Sequence, residues 1–214
     1  MTIYKGSQKA KQIASKNKSV KRIYCGTKLI FGTKVSKLLV YTTSGSITIP
    51  NNTISCIVHV VGSGGSSGGM KAYTTYFYYA SGGGSAGYSR KQYNSSLSGQ
   101  TINFTVGQSI SSWYQNGQNS IFLDQIGGMD FAGRAATGRG SQPGGVGGTA
   151  SGGDVNTNGS QGAVGSWTGS SETGKGASGH TINGVQYGFG GSCTKSGSPT
   201  SGSGCVIVEL IYWA

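Results

Sequence analysis

The sequence predicts a mainly β protein with essentially no α-helix, in which glycine backbone takes over part of the role of an apolar core. Of the 214 residues, 41 are Gly and only 35% are hydrophobic, so a core of apolar side chains must be small and local. Several short segments alternate apolar and polar residues with the period of two that is typical of strands. In the richest tracts Gly recurs every third residue, which is the period of an extended helix without internal hydrogen bonds.

A degenerate repeat marks the first 40 residues. "IYKGSQKAKQI" (3–13) and "IYCGTKLIF" (23–31) repeat Ile, Tyr and Gly in the same order. Each copy contains a Gly-Ser or Gly-Thr pair that suits a two-residue hairpin turn, so we predict two small β-hairpins. Ten of the 17 Lys and Arg residues lie within 1–37, whereas the first acidic residue is Asp124. We interpret residues 1–40 as a basic hairpin-repeat module, which acts either as a docking arm or as a solvated basic face.

Strand signals define the base of a second region, residues 41–214. "SGSITIPNNTISCIVHVV" (44–61) alternates on both sides of a Pro-Asn-Asn turn, and "TINFTV" (101–106) alternates throughout. "CVIVELIYW" (205–213) is apolar on both faces apart from Glu209, as expected of a central buried strand. Because these segments are far apart in sequence and need one another as partners, the chain between them is predicted to be folded above a small β-sheet base.

Glycine tracts occupy most of the chain between these strands. A spacing of three occurs at Gly62, Gly65 and Gly68, at Gly144 and Gly147, and at Gly159, Gly162 and Gly165. Collagen is excluded, because the spacing is not sustained and the chain has only three Pro. Extended glycine helices that lie side by side can pair their free N–H and C=O groups, which would give a core made of backbone. A flexible linker is the alternative.

The patterns that suggest catalysis lack the context that catalysis requires. "GGSSG" (64–68) and "GGSAG" (83–87) fit a nucleophile elbow, but no helix-forming segment follows either one. "GSSETGKG" (169–176) has Gly where a phosphate loop places the Ser or Thr that binds magnesium. The five carboxylates are scattered, and the chain has only two histidines, His59 and His180. We therefore predict a protein that is not an enzyme and uses no cofactor.

The spacing of the cysteines argues against a metal site, and the short apolar runs argue against a membrane span. Cys25, Cys56, Cys193 and Cys205 lack metal-ligand spacing and are expected to be free thiols, although Cys193 and Cys205 bracket a turn-rich segment and could pair. No run approaches the roughly 18 apolar residues of a membrane span, and the basic start lacks the apolar stretch of a signal peptide. Synthesis in a cytoplasm and no membrane insertion are expected.

Aromatic residues cluster between the glycine tracts, where they are surrounded by Thr, Ser, Asn and Gln. This composition is typical of binding loops, in which rings provide contact area and small polar residues provide hydrogen bonds. "MKAYTTYFYY" (70–79) carries more rings than an alternating strand can bury on one face. The predicted binding residues are Tyr73, Tyr76, Phe77, Tyr78, Tyr79, Trp113, Tyr114, Phe131 and Trp167. Phe122 and Phe189 are expected instead to pack on the edge of the packed glycine tracts.

The order of segments across residues 44–214 carries a resemblance to a known family. "SCIVHVVGSGGSSGG" is followed by the aromatic loop, then by "SGGGSAGYS", "INFTVGQS", "NGQNSIFLDQIGGMDFAGR", a Gly-rich tract and "GSGCVIVELIYW". This order resembles the glycine-rich domain of bacteriophage tail-fibre tips, in particular the receptor-binding adhesins that cap the long tail fibres of T-even-like phages.

The resemblance implies a sandwich of polyglycine-II helices whose distal loops bind a host outer-membrane protein or surface saccharide. It also implies a virion protein at the tail-fibre tip, made in the host cytoplasm and attached through its N-terminal module to a trimeric fibre-shaft protein. The residues expected to make that attachment are Tyr4, Lys5, Lys9, Lys11, Lys21, Arg22 and Tyr24.

Other classes of function remain open at this point. A tail-fibre assembly chaperone or a structural virion decoration protein would use the aromatic loops as packing surfaces. An ice-binding protein would need a flat, repetitive face, which irregular Tyr and Trp loops disfavour. No nucleic-acid partner is expected, although the basic arm permits one, and steep salt-dependent retention on DNA would support it.

Overall fold

The computed structural model describes residues 3–5, 8–10, 23–25, 28–31, 33–68, 71–73, 76–78, 81–128, 142–165, 174–193 and 199–213. In the short strands before residue 32 and between residues 71 and 78, it describes the backbone. Across these ranges the regular secondary structure consists of antiparallel strands, with no helix. The predicted mainly β class is therefore confirmed for the described part of the chain.

The N-terminal repeat forms two hairpins. β1 (Ile3–Lys5) pairs with β2 (Gln8–Ala10), and β3 (Ile23–Cys25) pairs with β4 (Lys28–Phe31). Two residues separate the strands of each pair, as the Gly-Ser and Gly-Thr turns predicted. Both predicted hairpins are confirmed at the level of backbone pairing.

Two five-stranded sheets form the body of the second region. The first sheet contains β5 (Lys34–Tyr41), β7 (Thr53–Val61), β10 (Tyr88–Gln92), β15 (Val155–Thr157) and β18 (Cys205–Trp213), in the order β15-β10-β7-β18-β5. The second contains β6 (Gly45–Thr48), β11 (Thr101–Thr105), β12 (Ser120–Phe122), β13 (Gln125–Gly127) and β14 (Ala150–Ser151), in the order β14-β13-β12-β11-β6. Two further hairpins are β8 (Lys71–Tyr73) with β9 (Tyr76–Tyr78) and β16 (His180–Ile182) with β17 (Val185–Tyr187).

The two sheets pack face to face around an apolar core, which we call the sandwich. Alternate residues of β7 and β18, such as Val58 and Val208, point into it and are fully buried. From the second sheet Phe104 and Phe122 point inward, with ring centroids 6.3 Å apart. Phe122 was expected to pack on the edge of the glycine tracts, whereas it is fully buried between the two sheets, because it lies on the inward face of β12. The base is thus a complete β-sandwich and not the single small sheet that the sequence suggested.

β18 is an interior strand of the first sheet, one position from the β5 edge, and both of its faces are apolar as the sequence predicted. It pairs with β7 on one side and with β5 on the other. β5 spans Lys34–Tyr41, so the last residues of the basic segment 1–40 are part of this sheet. The sequence boundary at residue 40 followed charge composition, whereas the structural boundary precedes Lys34, because Leu39 and Tyr41 pack against the apolar core.

Seven tracts of extended chain lie beyond the sandwich, and we call them together the glycine lattice. They are residues 62–68, 81–87, 142–148, 159–165, 174–179, 188–193 and 199–204. Backbone hydrogen bonds join each of these tracts to others of the set. Every residue of 62–68 and 81–87 is buried, so two of the least apolar stretches of the chain are interior.

Hydrogen bonds in the glycine lattice repeat every third residue. The N–H groups of Gly159, Gly162 and Gly165 donate to carbonyls of tract 142–148 at 2.8, 2.9 and 2.8 Å. In an extended helix with three residues per turn, every third residue points in the same direction. The residues between Gly159, Gly162 and Gly165 therefore point in other directions and are free to bond with other tracts.

The central tract, residues 81–87, follows the same period towards two neighbours. Gly82 and Ser85 donate to tract 159–165 at 3.0 and 2.9 Å. Gly83 and Ala86 donate to tract 188–193 at 2.9 and 2.8 Å. Buried backbone groups are therefore paired between tracts, which meets the requirement that polar groups removed from water be hydrogen-bonded.

Serine hydroxyls replace part of this backbone pairing. Ser63 Oγ accepts from the Gln118 N–H at 2.8 Å, and Ser85 Oγ accepts from the Ser160 N–H at 2.8 Å. Both serines are almost completely buried. Serine within the tracts is thus part of the packing, because its side chain is short enough to bond to the adjacent tract.

Close approach of the tracts explains why so many of their residues are Gly. A Cβ added to Gly83 would come within 3.0 Å of the Gly65 carbonyl oxygen, and one added to Gly162 would come as close to that of Gly82. Real Cβ atoms essentially never lie so near backbone atoms. Phe189 illustrates the complementary case, since its ring lies over Gly202, where an added Cβ would also collide. Its predicted packing on the lattice is confirmed.

Cys56 and Cys205 are buried free thiols, as expected, and Cys193 is buried as well. Burial raises the pKa of Cys56 to about 11 and that of Cys205 to about 12, so both thiols are protonated at neutral pH.

Candidate functional site

The glycine lattice has one end at the sandwich and one end far from it, which we call the distal end. Tract 62–68 follows β7 directly, and tract 81–87 leads directly into β10. The Gly62 N–H donates to the Gly87 carbonyl at 3.3 Å beside the sandwich, and the Gly68 N–H donates to the Ser81 carbonyl at 3.1 Å at the other end. These two tracts form an antiparallel stem that leads from the sandwich to the distal end.

The stem presents a β-hairpin at the distal end. β8 and β9 pair in the register Lys71 with Tyr78, Ala72 with Phe77 and Tyr73 with Tyr76. The sequence predicted a binding loop here, whereas the backbone of residues 71–73 and 76–78 is a strand pair, because Tyr, Phe and Thr strongly favour strands. Four predicted binding residues, Tyr73, Tyr76, Phe77 and Tyr78, belong to this hairpin. Tyr79 lies outside the described residues.

The segment that contains Trp113 and Tyr114 runs along the same stem. The Ser66 N–H donates to the Gln115 carbonyl at 2.9 Å, and the Tyr114 N–H donates to the Ser67 carbonyl at 3.2 Å. Since Ser67 is next to the last residue of tract 62–68, Trp113 and Tyr114 lie at the distal end. The structure thus brings two separately predicted groups of aromatic residues to one end of the molecule.

Tyr114 has a geometry that suits a contact residue. Half of its side chain is exposed, and its φ of 61° lies in the left-handed region that residues with a Cβ seldom adopt. Such conformations persist where surrounding contacts fix them. Here hydrogen bonds fix the backbone on both sides, from Tyr114 to Ser67 and from Gln115 to the Ser66 hydroxyl at 2.8 Å.

Phe131 and Trp167 lie outside the described residues, but the chain that flanks Trp167 can be placed. Gly165 and Gln142 bond to each other in both directions at 2.8 Å, at the far ends of tracts 159–165 and 142–148. Gly174 accepts from the Cys193 N–H at 3.0 Å. Gly165 and Gly174, the nearest described neighbours of Trp167 in sequence, therefore both belong to lattice ends that face away from the sandwich.

The predicted attachment residues are divided between described and undescribed positions. Tyr4 and Lys5 lie on β1, Lys9 lies opposite Tyr4 on β2, and Tyr24 lies on β3. Lys11, Lys21 and Arg22 lie outside the described residues. The structure therefore groups Tyr4, Lys5 and Lys9 on one hairpin and places Tyr24 on the second.

Sequence reasoning missed a cluster of polar and aromatic side chains on the outer face of the first sheet. The Tyr88 hydroxyl donates to His59 Nδ1 at 2.9 Å, and His59 Nε2–H donates to Glu209 Oε1 at 3.1 Å. Because the carboxylate can only accept, it fixes the imidazole tautomer. Glu209 was visible as the single charge in an apolar strand, but its partner His59 lies 150 positions away and could not be paired with it from sequence.

A second missed cluster joins the two sheets at their edges. Lys91 forms an ion pair with Asp124, and the Tyr93 hydroxyl donates to the same carboxylate at 2.8 Å. The hydrogen bond from Lys91 holds the pKa of Asp124 below its usual range. Burial raises the pKa of Tyr93, so the phenol remains a donor. The Lys91 ammonium and the Tyr93 hydroxyl both have the Asp124 carboxylate as partner. This arrangement is typical of a structural ion pair.

Within the described ranges, no group of three or more His, Cys, Asp or Glu side chains is placed to hold a metal ion. No helix among the described residues is long and apolar enough to cross a bilayer.

Comparison with known proteins finds no family model that matches this chain and no curated protein that is significantly similar to it.

Proposed function

We propose that this protein is a receptor-binding adhesin at the tip of a bacteriophage tail fibre, where it contacts a host cell-surface molecule. The observation that carries the proposal is the convergence at the distal end. Hairpin β8–β9 and the Trp113–Tyr114 segment meet there although some 35 residues separate them in sequence. Tyr114 is exposed and Trp113 is partly exposed, and Tyr and Trp are enriched among the residues that dominate binding energy in protein interfaces.

The scaffold that we propose for these contacts is a stack of polyglycine-II helices. Three features support it: the hydrogen-bond period of three, the burial of whole tracts, and the absence of room for a Cβ at Gly83 and Gly162. Such a scaffold is rigid, because each tract is bonded to several neighbours, while segments between tracts are free to vary. A variable recognition surface on a constant support suits an adhesin.

The basic hairpins β1–β4 form the attachment module in this proposal, with a trimeric fibre-shaft protein as partner. Support comes from their sequence repeat and from the eight Lys or Arg residues within positions 1–32. Since β5 begins at Lys34, a deletion of residues 1–32 spares the sandwich. The truncated protein should fold normally, as judged by thermal melting, but should no longer be incorporated into phage particles. Normal incorporation would overturn this assignment.

The adhesin proposal is tested by adsorption. Isolated full-length protein should coat susceptible bacteria and should compete with phage for adsorption. The variant Trp113→Ala/Tyr114→Asn removes both rings, and Asn is chosen because it tolerates the positive φ of Tyr114. If each ring is a hot spot worth about 2 kcal/mol, the loss of both, about 4 kcal/mol, should weaken binding on the order of 1,000-fold.

A matched control and a second assay keep this test decisive. Val155→Ala removes a half-exposed apolar side chain beside the sandwich and should bind like the unmodified protein. Unchanged competition by a folded variant that lacks Trp113, Tyr114 and the tyrosines of β8–β9 would overturn the proposal. Absence of the protein from purified particles would favour the assembly chaperone instead.

A further inference from the structure

A cleft opens on the outer face of the first sheet, at the sandwich end of the glycine lattice. It lies between hairpin β16–β17 and strands β7 and β10, and its volume is about 310 Å³. The residues that line it are His59, Tyr88, His180, Thr181, Ile182 and Asn183. Thr181 and Asn183 are exposed, so the cleft is open to solvent on their side.

Three rings form one wall of the cleft. The ring centroid of Tyr88 lies 6.0 Å from that of His59 and 5.4 Å from that of His180. The hydrogen bonds of His59 to Tyr88 and Glu209 hold the first pair in place. His180 Nε2–H donates to the Ala86 carbonyl at 2.9 Å, so its Nδ1 is left as an acceptor. The wall is therefore a preorganised aromatic surface with polar edges.

The turn of hairpin β16–β17 adds polar residues to the lining of the cleft. Asn183 and Gly184 have φ values of 51° and 79°, as expected of the two-residue Asn-Gly turn that matches the twist of a hairpin. This turn joins β16 to β17, and Tyr187 and Ile182 anchor the hairpin on the apolar cluster below. Thr181 and Asn183 line the cleft and are exposed, so these two polar residues lie at its mouth.

The cleft is electrically neutral at neutral pH. Burial lowers the pKa of His59 and of His180, so both imidazoles are uncharged, and burial raises the pKa of Tyr88, so its phenol keeps its proton. The charged groups that act on this face are Arg90 and Glu209, which have opposite signs. An anion or a cation would find no excess of opposite charge here.

We propose that this cleft binds one ring of a neutral saccharide. A volume of about 300 Å³ is at the lower end of small-molecule sites, which limits the ligand to about one ring. The apolar face of a pyranose can pack on Tyr88, while its hydroxyls bond to His180 Nδ1, Thr181 and Asn183. This site lies at the opposite end of the lattice from the aromatic residues of the adhesin proposal and stands independently of them.

The two histidines make the cleft unusually easy to observe. His59 and His180 are the only histidines of the chain, and both line the cleft. In proton NMR of the full-length protein, their imidazole C–H signals therefore report on this site alone. Titration with glucose, galactose or N-acetylglucosamine should shift both signals to saturation for at least one sugar, with a Kd of about 1 to 10 mM.

Charged probes and variants decide between outcomes. Glucuronate and inorganic phosphate should produce no comparable shift, and a stronger response to them would overturn the proposal in favour of an anion site. Tyr88→Ala should abolish the sugar response. Because that variant removes a half-buried ring and can perturb folding, Thr181→Trp, which fills the cleft from an exposed position, should also abolish it.

Ile121→Thr on the second sheet is the matched control, since Ile121 is exposed and remote from the cleft. It should leave the titration unchanged. The proposal is overturned if neither histidine signal moves with any of the three neutral sugars up to about 100 mM, or if the shifts persist in Thr181→Trp.

Discussion

The sandwich and the glycine lattice exclude water equally well but by opposite means. In β18, Val206, Val208 and Leu210 are buried apolar side chains that pack against the second sheet. In tracts 62–68 and 81–87, every residue is buried too, yet the tracts consist of Gly, Ser and a single Ala. One core is filled by side-chain volume, whereas the other is closed by backbone that leaves no space for side chains.

The sandwich and the glycine lattice therefore tolerate different kinds of substitution. In the sandwich, removal of atoms is damaging because it leaves a cavity. In the lattice, addition of atoms is damaging because facing backbones are already in contact. Serine occupies an intermediate position, since its hydroxyl serves as a partner for a neighbouring N–H group instead of filling space. Substitutions in each region and a change of pH can test this contrast.

Gly83→Val should have the largest effect. Its Cβ would collide with the backbone of tract 62–68, which cannot shift without breaking its other hydrogen bonds. We expect the free energy of unfolding to fall by about 4 kcal/mol or more in urea denaturation. Gly45→Val is the control, because its Cβ would lie 3.6 Å from the Phe104 ring, an ordinary contact. Equal stability of the two variants would show that the lattice is not closely packed.

Phe122→Ala should have the largest effect in the sandwich. The ring is fully buried between the sheets, so its removal costs the transfer free energy of the ring plus a cavity. The expected loss is about 3 to 5 kcal/mol in the same denaturation experiment. Ile121→Ala, at the adjacent exposed position of β12, should cost far less. Similar losses for both variants would contradict the assignment of β12 faces.

Ser85→Ala should destabilise by a smaller amount, about 1 kcal/mol, because the part-buried hydrogen bond from the Ser160 N–H to Ser85 Oγ would be lost. Ser46→Ala on the exposed side of β6 should have almost no effect. The melting temperatures of the two variants provide the comparison. If Ser85→Ala melts with the unmodified protein, serine hydroxyls do not contribute to the lattice as we argue.

Acidification should produce the smallest effect, on the sandwich side. Burial lowers the pKa values of His59 and His180 below their usual value of 6.5 in the folded state, so the unfolded chain takes up protons first. Stability should therefore be highest above pH 6.5 and should fall as the pH drops through that value. The double variant His59→Gln/His180→Gln should show a flatter stability profile between about pH 7 and pH 5. An equal slope in the variant would assign the pH dependence to other groups.

Hydrophobic periodicity and turn-forming residues predicted the strands and hairpins whose sequence signal is local. The hairpins β1–β2 and β3–β4 followed from Gly-led turns. The position of β18 inside the sheet, paired on both sides, followed from its two apolar faces. The second sheet was not predicted, because β13 and β14 span only two or three residues each and show no alternation. Their pairing is set by the chain around them, not by their own composition.

The candidate sites show the same division. The aromatic residues were found by composition, but nothing local indicated that Tyr114 would meet the end of tract 62–68. The burial of serine was also hidden, since serine in a Gly-rich text equally describes a flexible linker. The cleft required His59, Tyr88 and His180 to come together from three separate segments, which only tertiary structure accomplishes.

The position of β18 between β5 and β7 affects the order in which the first sheet can form during synthesis. β5 and β7 do not pair with each other and are joined only by β18, whose contacts with β7 bridge about 150 positions. At about 5 to 20 residues per second, the ribosome needs about 8 to 30 s to make that intervening chain. Throughout this interval the edges of β5 and β7 that will later receive β18 are unpaired, and such edges are templates for aggregation. The nascent chain should therefore depend on chaperones until residue 213 emerges, and expression at low temperature with chaperone supply should raise its soluble yield.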